Sequence, residues 1–474
     1  MDEYIIVEKR KQAGLIILVS AIGFIMTFDY GCLNISLSAI AGFFNVKLAA
    51  VSWLPTLCFL IITGALLSFA KLGDIIGYKK VFLWGLVVYA VGALFYALSP
   101  SFSLLLTSRT IQSFGEAMFL PIGIAMLSAF LPNEIKGKAF GFYAMAQGLG
   151  IAVGQAGGGW LIAKFSWRST SYAIVFIVLI IFLAALKIIP LKQKKISDRR
   201  LDLVGAFLFF IAMASFLYYL NLQSTISGPK QQGVFIYVVV FLIAGILFFW
   251  REKSVAYPLL DLNLFKNRDF SFAAAAAFFI VLLNIGSSFV FPLYLELLKH
   301  YSVFQRGLIM LAPSLTMMVL SPISGHLSDR AGSRKICIWG MIVTIAAFIL
   351  LSLLHESTSL LFIIFALVFL GIGIGLFLAP NNRLVLSFAP EDKHGVASGV
   401  YKICMNAGSS IGIALFMLVG ARAMSADIVK LNIGVSEIKS HPDVMVVGFH
   451  GVFIVAIIIS VLTLVLSILA HDKK

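Results

Sequence analysis

Fourteen apolar stretches recur along this chain, each separated from the next by a short polar segment. They cover residues 14–43, 51–70, 81–99, 102–131, 137–165, 168–189, 202–222, 233–250, 270–299, 304–328, 335–354, 358–387, 394–422 and 447–470. A helical run of about 20 apolar residues crosses the roughly 30 Å of hydrocarbon in a bilayer. The expected fold class is therefore an all-α membrane protein with fourteen transmembrane helices. Composition agrees: 61% of the 474 residues are hydrophobic and 12% are charged, about half the charge of a typical soluble domain.

The formal net charge of +15 could point to a polyanionic partner. Here the basic residues lie in short segments between spans, where they set orientation, and no nucleic acid is expected. Of the 36 Lys and Arg, 25 fall on the side holding both termini and nine on the other, while Arg109 and Lys402 lie inside spans. The positive-inside rule then places both termini in the cytoplasm of a multi-pass cell-membrane protein. Cys32, Cys58, Cys337 and Cys404 lie in or at the ends of spans and form no CxxC or disulfide framework. The basic N-terminus resembles the start of a signal peptide. Its apolar run is too long and lacks a small-residue cleavage site, so it reads as the first span.

One charged turn occurs twice. AKLGDIIGYKK at 70–80 returns as GHLSDRAGSRK at 325–335, and Asp74, Gly77 and Lys80 match Asp329, Gly332 and Lys335 at a spacing of 255 residues. A central glycine suits a backbone that must turn sharply or take φ > 0. An acid at one helix end, followed by basic residues, can bind neighbouring helix ends. The expected gating set is Gly73, Asp74, Gly77 and Lys80 with Gly325, Asp329, Gly332 and Arg334. The repeat extends further. Gly141-Phe-Tyr143 with Gly150 and Gly154 matches Gly399-Val-Tyr401 with Gly408 and Gly412 at 258, and Pro121 echoes Pro380 at 259. Two pseudo-symmetric six-helix bundles are expected, 1–190 and 269–474, with two central helices inserted in 191–268. The loops flanking those helices, 191–200 and 251–268, are polar and basic, and 424–446 is the longest segment on the opposite side.

Two parallel halves with a site between them is a transporter plan. Motifs sharpen it. Span 1 carries Asp29-x-x-x-x-Asn34, span 4 carries Arg109-x-x-Gln112-x-x-Gly115, and Pro258-Leu-Leu-Asp-Leu precedes span 9. Span 5 carries Gly150-x-x-x-Gly154-Gln155-x-Gly157-Gly158-Gly159. With the doubled turn, these motifs resemble the major facilitator superfamily over nearly the full length, and more narrowly its fourteen-helix drug:proton antiporter family. In span 5 the resemblance departs at Gln155, where the family usually has proline. It also departs at Glu116, where a small residue is usual. The resemblance implies a secondary transporter working by alternating access, with Arg109 in proton coupling and Asp29 facing the pathway.

An ionisable group at the centre of a span costs about 2.5–3.5 kcal/mol on insertion scales and needs a reason. Asp29 lies well inside span 1, and Arg109, Gln112 and Glu116 share one face of span 4. Asp29, Arg109 and Glu116 are the candidate proton-coupling residues; a static network satisfying Arg109 is the alternative. Asn34, Gln112, Gln155, Asn284, Tyr294 and Lys402 are candidates for the substrate pathway. Gly150, Gly154 and Gly158 form a ridge without side chains, suited to a close helix contact on which two bundles could rock.

Other chemistries find little support. Gly408-Ser-Ser410-Ile-Gly412 spells a nucleophile-elbow pattern, but within a transmembrane helix rather than a strand–turn–helix. No GxxxxGK[ST] occurs, and the seven histidines form no close metal-ligand pattern. Neither an enzyme, a cofactor nor a metal is expected, and no filter loop suggests a channel. The favoured function is proton-coupled export of amphipathic or cationic small molecules. The alternatives are transport of a lipid, siderophore or other metabolite, symport, or a non-transporting receptor. The expected partners are a small-molecule substrate, protons and the lipid bilayer, with the chain a monomer.

Overall fold

Proline and glycine decide how the apolar runs divide into helices. The computed structural model describes residues 8–189, 202–223, 234–255, 262–388, 394–431 and 441–471. Its helices are α1 (Lys9–Phe44), α2 (Leu48–Val51), α3 (Trp53–Ile76), α4 (Tyr78–Leu98), α5 (Phe102–Phe130), α6 (Asn133–Lys164), α7 (Arg168–Ile188) and α8 (Leu203–Gln223). There follow α9 (Phe235–Ser254), α10 (Arg268–Leu297), α11 (Val303–Ile309), α12 (Leu311–Ala331), α13 (Ser333–Ser352), α14 (Leu360–Ser387), α15 (His394–Leu431) and α16 (Pro442–Leu469). Among the described residues, thirteen segments are long and apolar enough to cross a membrane. The fourteenth crossing is α6, 32 residues long and diluted by glycine and charge.

Two short helices, α2 and α11, run almost directly into α3 and α12. Both breaks have one cause. Pro55 cannot donate to the carbonyl of Val51, nor Pro313 to that of Ile309, and Val51 and Ile309 end α2 and α11. The 424–446 segment is largely helical where described, because α15 runs on through Leu431 and α16 starts at Pro442. The loop at 191–200, residues 256–261 with most of the Pro258 motif, and residues 432–440 lie outside the described residues. The side chains of Asp74 and Asp329 do too.

The doubled turn adopts one geometry in both copies. Gly77 closes α3 at φ 103°, ψ 137°, and Gly332 closes α12 at φ 89°, ψ 140°. This region is almost closed to residues with a Cβ.

Each half repeats the same packing. In the first, α1 lies against α6 and α7, and α5 against α3 and α4; in the second, α10 lies against α15 and α16, and α14 against α12 and α13. Between the halves, α6 meets α11 and α12 while α15 meets α3. Glycine crossings fix the register of the repeat. Cβ atoms on Gly150 and Gly154 would lie 2.3 and 2.4 Å from the carbonyl oxygens of Phe24 and Phe28. On Gly408 and Gly412 they would lie 2.3 Å from those of Phe278 and Leu282. These crossings equate Asp29, Tyr30 and Asn34 with Leu283, Asn284 and Ser288. Likewise Gly85 meets Gly115 as Gly340 meets Gly373, which equates Arg109, Gln112 and Glu116 with Leu367, Leu370 and Ile374. By the same crossing Pro121 matches Ala379, so the Pro121–Pro380 echo is out of register by one residue. The glycine ridge of α6 thus binds α1 within one half and is not the surface on which the halves meet.

The inserted hairpin covers a seam. On α8, Leu217 and Leu220 pack with Leu60 of α3 and Ala414 of α15, and Asn221 Nδ2 donates to the Ala49 carbonyl at 2.9 Å. Helix α9 packs mainly on α8 and leaves a broad apolar face, including Phe235, Ile246 and Trp250, for lipid.

Apolar packing between the halves is concentrated at one end. At the end remote from the termini, a single cluster joins Leu37, Ile40, Leu54 and Trp167 to Val290, Leu298, Ile309 and Met310. Toward the termini the core divides, with Leu15–Ile25 and Phe119–Leu131 residues in one cluster and Phe270–Ala277 with Val385–Tyr401 residues in another.

Candidate functional site

The close approach of α4 and α5 brings one site together. A Cβ on Gly92 would lie 2.4 Å from the Gln112 nitrogen, and one on Gly115 would lie 2.3 Å from the Tyr89 nitrogen. With the helices this near, side chains from both reach the Asp29 carboxylate on α1. Arg109 Nη1 donates to Asp29 Oδ2 at 2.6 Å, Gln112 Nε2 at 3.2 Å and the Tyr89 hydroxyl at 3.2 Å. Arg109 Nη1 also donates to Gln112 Oε1 at 3.0 Å. All four residues are buried, Arg109 at 2% exposure and Asp29 at 7%. Arg109 Nε has no partner, so the guanidinium is not fully satisfied. Glu116, one turn along α5 from Gln112, instead accepts from the Cys58 thiol of α3 at 3.3 Å. The static reading in which Gln112 and Glu116 together satisfy Arg109 therefore meets only half its terms. Tyr89 and Cys58 were missed in the sequence. Both are common membrane-helix residues, and only packing reveals their partners.

The other predicted residues scatter. Gln155 is buried in the interface between halves, where Ser314 Oγ of α12 donates to its Oε1 at 2.9 Å. Tyr294 is fully buried and donates to the His355 carbonyl at 2.9 Å, anchoring the α13–α14 loop away from the pathway. Lys402 is half-buried, and no hydrogen bond or ion pair engages it among the described residues. It shares a helix face with Ile413 and Gly420, and Gly420 lies against Val452 of α16, so Lys402 turns toward α16 rather than toward the other half. Asn34 is buried and Asn284 half-buried on the faces of α1 and α10 that lie between their flanking contacts.

At the doubled turn the bonded cations are Lys79, one residue before the expected Lys80, and Arg334 itself. Lys79 Nζ donates to the carbonyls of Leu186 and Ile189 at 2.7 and 2.9 Å, closing the end of α7. Arg334 Nη2 bonds the Ile468 carbonyl at the end of α16. Lys80 is exposed. A Cβ on Gly73 would meet only side-chain atoms of Ile122 and Tyr78, and one on Gly325 would meet nothing within 4 Å.

The far end is closed by contacts that the sequence did not suggest. Arg306 of α11, 3% exposed, pairs with Glu296 of α10 and reaches Ser38 Oγ of α1 at 3.2 Å. Beside it a Cβ on Gly307 would lie 2.2 Å from the Gln155 carbonyl oxygen, and one on Gly159 would lie 3.0 Å from that of Val303. Among the described residues no group of three or more His, Cys, Asp or Glu could hold a metal ion.

Residues 19–413 match the family profile of the Major Facilitator Superfamily. The chain belongs to that superfamily. It is a secondary transporter with many helical crossings of the membrane. Among curated superfamily members, it is 27% identical over 464 residues to the riboflavin transporter RibZ of Clostridioides difficile, covering 98% of both chains. It is also 27% identical over 419 residues to the multidrug resistance protein Stp of Mycobacterium tuberculosis, covering 87% of this chain and 76% of that one. A bacterial homologue of the human lysosomal transporter Spinster, in an inward-facing and unoccupied conformation, shares the fold. It superposes at a TM-score of 0.71 with 15% identity, over 98% of this chain and 97% of that one.

Proposed function

We propose that this superfamily member is a fourteen-helix drug:proton antiporter, exporting amphipathic or cationic small molecules from the cell membrane by alternating access. The observation that carries the reading is the Asp29 carboxylate, held at one oxygen by Arg109, Gln112 and Tyr89 in the first half. Apolar surroundings favour a neutral carboxyl and a guanidinium favours a charged one. Rocking of the second half past the first would change the surroundings that set the balance between them, and that change is the coupling step. Asp29 is the proton carrier, Arg109 the group that tunes it, and Glu116 a second acceptor. With the termini in the cytoplasm, as the basic residues favour, the far-end closure faces outward and the described state is open inward.

A second reading, transport of a metabolite, is favoured by the riboflavin transporter, whose similarity spans 98% of both chains. Proteoliposomes holding a pH gradient, loaded in parallel with ethidium and with riboflavin, test both. Gradient-driven ethidium flux is expected, abolished by Asp29→Asn and altered in its pH dependence by Glu116→Gln. Flux of riboflavin alone would favour the second reading. Wild-type coupling in both variants would remove these carboxylates from the mechanism.

A further inference from the structure

Three polar atoms on one face of α1 are buried without a partner: the Tyr30 hydroxyl and both the oxygen and the nitrogen of the Asn34 amide. The two side chains are neighbours one turn apart and close enough to interact with each other, but not at normal hydrogen-bond geometry. Their face lies between the Asp29 side of α1, which meets α5, and the Gly31 side, which meets α6. Along it Met26 and Tyr30 are half-buried, Asn34 is buried, and the far-end apolar cluster begins with Leu37. Asn34 therefore sits where the pathway ends beneath the closure. On α10 the equivalent residues, Asn284 and Ser288, are also polar and half-buried, and their side chains make no hydrogen bond among the described residues.

A buried amide with neither group paired is unfavourable, which leaves a donor and an acceptor for a ligand. An asparagine presents the two side by side, matching any edge in which an N–H adjoins a C=O. The Tyr30 ring, edge-on to Phe59 with centroids 5.5 Å apart, supplies an apolar wall for a flat ring. We infer that Asn34 reads the substrate, pairing with the lactam or imide edge of a planar heteroaromatic molecule, with the Tyr30 hydroxyl as an additional partner. This inference deepens the transport reading and rests on it.

Binding to the purified full-length carrier in lipid nanodiscs, followed by ligand fluorescence, tests it with two matched pairs. These are riboflavin with N3-methylriboflavin, and quinolin-2(1H)-one with its N-methyl derivative. Within a pair only the N–H is lost. The N–H parent of at least one pair should bind about tenfold or more tightly than its methylated partner. Asn34→Leu should bring the parent down to the methylated ligand's affinity while leaving that ligand unchanged. Asn34→Val, a smaller apolar side chain that likewise offers neither donor nor acceptor, should also erase the preference, so the test survives if the leucine variant folds poorly. The inference is overturned if neither parent binds, if parent and methylated ligand bind alike, or if either variant keeps the preference. Gradient-driven ethidium flux by the wild-type carrier would then leave the transport reading standing.

Discussion

Gly307 offers the most direct measure of what holds the far end shut. A Cβ at this position would lie 2.2 Å from the Gln155 carbonyl oxygen, an approach that neither backbone can relieve by a side-chain rotation. Restoring an ordinary contact requires α11 and α6 to separate by about 1 Å, in an interface where interiors resist small volume changes. Overpacking of this kind costs about 1–3 kcal/mol. If the halves part here in the alternate state, the cost falls on the closed state alone. Gly307→Ala should then shift the balance toward far-end opening by about 5- to 150-fold.

The assay is the thiol-labelling rate of Ala39→Cys, a position packed against the far-end cluster. The unsubstituted chain sets the background from its four native cysteines, three of them buried. Gly245→Ala on α9 is the control, because nothing lies within 4 Å of its added Cβ. A Gly307→Ala labelling rate equal to that of the control would refute the reasoning, since the clash would then have been absorbed without opening the interface.

Arg109→Ala leaves the buried Asp29 carboxylate without its counter-ion, with only the neutral donors Gln112 and Tyr89. It should lower stability by about 3–5 kcal/mol, read by denaturation of the purified protein, whereas Asp29→Asn should keep the fold. Lys79→Met and Arg334→Met each leave carbonyls at a helix end without their donor. Each should cost about 0.5–1.5 kcal/mol and raise hydrogen exchange at the ends of α7 and α16, while Lys80→Met should do neither. Gly77→Ala and Gly332→Ala force a Cβ into the positive-φ region and should each cost about 1–2 kcal/mol; equal melting temperatures for both variants and wild type would count against the strain.

The number of crossings and the two-half plan were legible because apolar run length and spacing survive without knowledge of packing. The positive φ at Gly77 and Gly332 was legible for the same reason, since a glycine repeated at one spacing marks a backbone need. Span boundaries slipped where helix continued past the apolar run, as at Leu431 of α15. The breaks before α3 and α12 were readable from Pro55 and Pro313 and went unread. Of the polar candidates, Asp29, Arg109 and Gln112 converge because charge inside a span is costly and demands a partner. Tyr294, Gln155 and Lys402 are as polar in the sequence, but helix rotation sends them to a loop, to the interface between halves and toward α16. Ser38, Glu296 and Arg306 were unreadable as a set, because they come from three helices and carry no spacing signal.

The repeat also explains why the ionisable network exists once. In the second half the positions of Asp29, Arg109, Gln112 and Glu116 are held by Leu283, Leu367, Leu370 and Ile374, all buried. Thr344 stands in place of Tyr89 and bonds its own helix at Gly340. The fold therefore does not need these charges: the same crossings close over leucine. Nor would a second network add coupling, because each intramembrane charge carries its own desolvation cost. What the second half retains at the equivalent pathway positions is neutral polarity, Asn284 and Ser288 opposite in register to Tyr30 and Asn34. On the proposed function, proton handling would belong to one half and neutral polar contact would be available to both. In such an arrangement, rocking the second half past the first changes the surroundings of Asp29 without moving its partners on α4 and α5.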